Sequence, residues 1–93
     1  MSRIAVHLII KGSVQGVGYR WWAQGEARRL KLDGWVRNRH DGTVELVAAG
    51  PVAAVEDMVE ACWSGPPAAA VHVVERAPAD DEGLAGFAER PTA

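Results

Sequence analysis

A chain of 93 residues with a net charge of −2 and 48% apolar residues has the size and composition of one globular domain with a modest core. The slightly acidic balance excludes a general attraction to nucleic acid or to an anionic membrane, so any anion must be held by a local site. The single cysteine, Cys62, excludes an internal disulfide and suits a reducing cytoplasm; no apolar run approaches the ~18 residues of a membrane span, and the first residues lack the apolar segment of a signal peptide.

Residues 3–11 read as a strand, with Ile4, Val6, Leu8 and Ile10 at period two and Ala5, His7 and Ile9 on the opposite face. A glycine loop over 12–18 ends it. Residues 20–30 read as a helix with Trp22, Ala23, Ala27 and Leu30 on one side, weakened at Gly25 by roughly 1 kcal/mol relative to alanine. Asp33-Gly34 breaks to a second strand over 35–39. His40-Asp41-Gly42 signals a hairpin turn, and 43–49 pairs back as the third strand. Pro51 suits a helix start, and Val52, Val55, Met58, Val59 and Cys62 form the apolar stripe of a second helix over 52–63. Ser64-Gly65-Pro66-Pro67 stops it. Residues 71–77 read as a fourth strand, 78–86 as a polar loop and 87–90 as a short last strand.

The order β-α-β-β-α-β predicts an α+β, ferredoxin-like sandwich spanning 1–93 as a single domain. Two right-handed crossovers interleave into one antiparallel sheet with both helices on one face. Many unrelated functions share that fold, so function rests on the site.

The chemistry concentrates in Gly12-Ser13-Val14-Gln15-Gly16-Val17-Gly18-Tyr19-Arg20. Glycines let the backbone turn tightly and approach a ligand closely. Successive N–H groups in such a loop, and at the helix start that follows, converge on one anion. Arg20 adds a planar fork of charged donors, although a cation at a helix start opposes the dipole, and that small cost points to a functional reason. A phosphate group needs this combination. The sequence carries no paired carboxylates, no Ser-His-Asp arrangement and no His/Cys cluster at metal-binding spacing.

This run resembles the phosphate-loop signature of the acylphosphatases. Gly34-Trp35-Val36-Arg37-Asn38-Arg39-His40-Asp41-Gly42-Thr43-Val44 resembles that family's second signature, and the Arg20-to-Asn38 spacing, Ala27-x-x-Leu30-x-Leu32 and Gly65-Pro66-Pro67 fit as well. The likeness spans residues 4–77. It implies hydrolysis of carboxyl-phosphate anhydrides to a carboxylate and inorganic phosphate, with no metal, no cofactor and no covalent phosphoenzyme. By the same resemblance, Arg20 and the backbone amides of Gln15, Gly16, Val17, Gly18, Tyr19 and Arg20 bind the phosphoryl group, and Asn38 orients the attacking water. Elementary chemistry agrees. A carboxylate leaving group of low pKa needs little acid help, and phosphoryl transfer is mostly positioning and electrostatic stabilisation. A guanidinium meets two phosphoryl oxygens at once, and an amide offers both a donor and an acceptor to a water.

Thr43 is expected to hydrogen-bond near Asn38 and help orient it. The side chains of Gln15 and Tyr19 are expected to shape the loop and core, His7 and His72 to sit in strands, and His40 to lie at the rim. Cys62, Trp22, Trp35 and Trp63 are expected to pack, and Trp21 to line the acyl side. The expected partner is a small acyl phosphate, with neither nucleic acid nor membrane, bound by a cytoplasmic monomer; an open sheet face bearing Ala5 and Ile9 leaves weak association open.

Two rival classes make distinct demands. An anion-sensing module would not need both Arg20 and Asn38 intact. An RNA platform would carry aromatic residues on the third strand, and Thr43–Ala49 has none. The chain departs from the family pattern twice: Lys31 stands where glycine commonly follows the first helix, and Phe87-Ala88-Glu89-Arg90 replaces Phe-x-Ile-Arg, which predicts a frayed last strand. Neither departure is expected to touch the site.

Overall fold

The computed structural model describes residues 2–81 and 83–93. Its elements run β1 (Arg3–Ser13), α1 (Tyr19–Arg29), β2 (Asp33–Asn38), β3 (Val44–Pro51), α2 (Val52–Ser64), β4 (Ala70–Pro78) and β5 (Phe87–Glu89). The sheet order is β4-β1-β3-β2-β5. The first four strands pair antiparallel throughout, as the βαββαβ order predicts. The fifth pairs parallel with β2, through Gly34 and Phe87, so the sheet as a whole is mixed. The cause is the path of the chain. β4 finishes at the end of the sheet where β2 begins, and β5 starts from that same end after crossing to the far edge.

β1 also runs beyond the alternating segment. The register shifts between Lys11 and Gly12, after which Gly12 and Ser13 pair with Val71 and Ala70. Gly12 has φ 134, and a Cβ there would strike the carbonyl oxygen of Ala70. Only glycine lets the two backbones meet at this bulge.

Val6, Leu8 and Ile10 of β1, Val44 and Leu46 of β3 and Val36 of β2 are buried beneath both helices. Tyr19, Ala23 and Ala27 are the buried residues of α1, and the small side chains of the two alanines let the helix approach the sheet closely. α2 contributes Val55, Met58 and Cys62. The Tyr19 hydroxyl donates to the Cys62 carbonyl at 2.6 Å, tying the first turn of α1 to the last turn of α2. Burial pushes the Tyr19 hydroxyl well above its ordinary pKa and the Cys62 thiol up to about 12, so both stay protonated.

α1 ends in a two-bond cap. The N–H of Lys31 donates to the Arg28 carbonyl at 3.0 Å and that of Leu32 to the Ala27 carbonyl at 2.9 Å. This geometry needs a left-handed residue, and Lys31 supplies it at φ 58, the one non-glycine residue with positive φ among those described. On the sheet face away from the helices, the Arg37 and Arg90 guanidinium groups lie 4.7 and 4.5 Å from the Trp35 ring centre. There His7 Nε2 and Arg37 Nε both reach Glu45, each at 2.6 Å. Trp63, expected to pack, instead leaves 49% of its surface in water.

Candidate active site

β1 and α1 are joined by the glycine loop, and the loop is anchored by what it buries. Val14 is 1% exposed, and Val17 packs against the core from its partly buried position. Gly16 and Gly18 lie between and beyond these anchors at φ 74 and φ 79, the left-handed region that glycine adopts without strain. Gly18 is the N-cap of α1; its carbonyl accepts the first helical hydrogen bond, from the Trp22 N–H at 3.0 Å. No side chain caps this helix start, and its first turn holds no acidic residue. Among the described residues no acceptor takes up the N–H groups of residues 15–20. A run of unpaired donors at the positive end of a helix is an anion cradle in structural terms.

Gly16, Gly18 and Arg20 share one hollow of about 140 Å³ with Asn38, Val14, Tyr19, Trp21 and Glu89. A water occupies about 30 Å³ in the liquid, so the hollow has room for a phosphoryl group beside a water. Asn38 is the last residue of β2, half-buried, and its carbonyl accepts from the Ala93 N–H at 3.1 Å. Its side-chain amide has no protein partner among the described residues.

Gln15 joins the two halves of the site. Its Nε2 donates to the carbonyls of Arg39 at 2.7 Å and Thr43 at 2.9 Å, on either side of the hairpin turn that follows Asn38. The loop and the Asn38 strand end are thereby braced against each other. The Thr43 hydroxyl, expected near Asn38, instead donates to Asp41 Oδ1 at 2.6 Å, and the Thr43 N–H donates to the same oxygen at 3.0 Å. Short-range turn chemistry captures that hydroxyl before it can reach along the strand. These two bonds, the hydroxyl's first, hold the Asp41 carboxyl below the ordinary range.

Arg20 is also engaged. Its Nη1 lies 2.9 Å from Glu89 Oε2, and Gln24 Nε2 donates to Glu89 Oε1 at 3.0 Å. The expectation that the Phe-x-Ile-Arg departure lies outside the site is therefore corrected. Phe87 points into the core, and Glu89, two residues on, falls on the same face of β5, beside α1. Trp21 lines the hollow while 80% exposed. His40 is exposed beside the turn, and His7 lies on the opposite sheet face against Glu45.

The fold and the hollow define a small α+β domain whose β1–α1 loop presents unpaired backbone N–H groups beside Arg20 and Asn38. A sequence model of the acylphosphatases matches residues 6–89. The "Acylphosphatase" of Acidiphilium cryptum is 51% identical over 89 residues, which cover 96% of this chain and 98% of that protein. Among solved structures, the acylphosphatase of Bacillus subtilis superposes with a TM-score of 0.90 at 40% identity, covering 94% of this chain and 98% of that one. The acylphosphatase of Coxiella burnetii superposes with the same TM-score of 0.90 at 38% identity, covering 95% and 93%. The chain belongs to the acylphosphatase family.

Proposed function

We propose that this enzyme hydrolyses the carboxyl-phosphate bond of small acyl phosphates without a metal, giving a carboxylate and inorganic phosphate. The observation that carries this reading is the convergence on one hollow of unpaired loop amides, the Arg20 guanidinium and the unengaged Asn38 amide. The amides of residues 15–20 and Arg20 hold the phosphoryl oxygens and offset the charge they carry in the transition state. Asn38 accepts a hydrogen bond from the attacking water and aims its oxygen at phosphorus from the side opposite the leaving carboxylate. The P–O bond to the acyl group breaks as the new P–O bond forms. Asn38 is neither acid nor base; in this reading a phosphoryl oxygen of the substrate takes the water's proton.

This division of labour predicts two different failures. Arg20→Ala and Arg20→Lys should stay folded while losing phosphate binding and most turnover. Asn38→Ala should lose turnover and keep phosphate affinity. Calorimetric titration with inorganic phosphate, alongside steady-state kinetics, separates the two. If Asn38→Ala weakened phosphate binding as much as Arg20→Ala, the assignment of roles would be wrong.

A further inference from the structure

We infer that Glu89 is an affinity-setting residue of this site, an internal carboxylate that competes with the phosphoryl group for Arg20. The inference rests on the reading of Arg20 as the phosphate-binding side chain. It starts from one juxtaposition: Glu89 Oε2 lies 2.9 Å from Arg20 Nη1, inside the hollow formed by Gly16, Gly18 and Asn38.

Several contacts station that carboxylate there. β5 is held against β2 in register, with Glu89 opposite Val36, and the Arg90 N–H donates to the Val36 carbonyl at 2.9 Å. Arg28 Nη2 donates to the Phe87 carbonyl at 3.0 Å, fastening β5 to α1. The other oxygen of Glu89 accepts from Gln24 Nε2 at 3.0 Å. Arg20 and Gln24 lie one turn apart on α1, so the carboxylate bridges two neighbouring side chains of the same helix face.

A phosphoryl group entering a hollow of about 140 Å³ brings a second anion beside the first. The two repel, and both draw on one guanidinium. The Arg20 and Glu89 side chains are 35% and 42% exposed. The pair is therefore of the weak, partly solvated kind that a better anion displaces. The cost appears as weaker binding of every ligand carrying a phosphoryl group, the product included. Glu89 thus raises the substrate concentration needed for half-maximal rate and helps inorganic phosphate leave.

The test compares the wild type with Glu89→Gln, which keeps the shape and the bond to Gln24 but removes the charge. Phosphate binding is read by calorimetry, and KM, kcat and product inhibition are read with benzoyl phosphate. The expected result is phosphate binding about two- to fivefold tighter, with KM lower by a similar factor and kcat not raised. Glu89→Ile should shift binding in the same direction, and Glu89→Asp, which restores a carboxylate, should return it toward the wild type. Unchanged or weaker phosphate binding in Glu89→Gln would overturn the inference, since Glu89 would then be inert or would hold Arg20 in place. A collapse of kcat with KM unchanged would also overturn it, by making Glu89 a proton acceptor. Arg20→Ala is titrated in parallel. If it binds phosphate as well as the wild type, the reading of Arg20 itself fails; if it loses phosphate while Glu89→Gln changes nothing, only the competition fails.

Discussion

Replacing Lys31 by glycine should stabilise this protein without altering catalysis. Lys31 occupies the left-handed position after α1, at φ 58, and both bonds that close the cap are made by backbone atoms. Glycine keeps them. The left-handed conformation costs an L-residue about 1–2 kcal/mol that glycine does not incur. Two effects oppose the gain. Glycine frees the unfolded chain, worth about 0.5–1 kcal/mol, and a cation is lost near the C-terminal end of the helix dipole, worth about 0.3 kcal/mol. The exposed Lys31 side chain makes no hydrogen bond or ion pair among the described residues, so no further contact is lost. The balance favours glycine by about 0.5 kcal/mol. In a domain of this size that raises Tm by about 2–4 °C. Thermal and urea unfolding of the wild type, Lys31→Gly and Lys31→Ala would be compared, the alanine variant losing the charge while keeping the Cβ. Glycine should be the most stable of the three, with equal urea m-values and an unchanged kcat/KM. A glycine variant no more stable than the alanine variant would refute the reasoning.

The brace between the two halves of the site should be visible in Gln15→Ala. Loss of two half-buried amide bonds to Arg39 and Thr43 should cost about 1–2 kcal/mol in urea unfolding and lower kcat more than phosphate affinity, because Asn38 is the group left less well positioned. Acid should weaken the fold through its bonded carboxylates. The Arg3 guanidinium, then the Gly86 N–H, hold Asp33 below the ordinary carboxylate range. Partial burial raises the pKa of Glu45, but the hydrogen bonds from His7 and Arg37 outweigh it and leave that carboxyl lowered too. Folded pKa values below the unfolded ones mean that the unfolded chain binds more protons in acid. The contribution is therefore complete near neutrality and is lost as pH falls below about 5. Urea midpoints should drop between pH 7 and pH 4, and the drop should be smaller in Asp33→Asn.

How much of this was legible beforehand varies residue by residue. The alternation Ile4, Val6, Leu8, Ile10 predicts β1, and the last three of these point into the core. The glycines before Arg20 and the strand end at Asn38 mark two segments that the fold brings to one hollow. The left-handed position of Lys31 is readable through the family resemblance, whose pattern has glycine there, in keeping with the local rules of helix ends. β5 lies beyond such rules: its direction follows from where β4 ends and from the path of the loop over 78–86. Glu89 escapes for the same reason. Its place against Arg20 depends on a tertiary pairing of β5 with β2, and the only signal in the sequence is a carboxylate where the pattern has an aliphatic residue. Thr43 illustrates the opposite error, a long-range role expected of a hydroxyl that an aspartate two residues away already holds.

The central claim is tested most directly by hydrolysis of benzoyl phosphate in excess EDTA, with the wild type and Asn38→Ala measured side by side. The account predicts turnover that survives chelation in the wild type and collapses in the variant. No turnover above the blank by a wild-type protein that still binds phosphate would contradict it, and would leave the loop amides and Arg20 as an anion-binding module without catalysis.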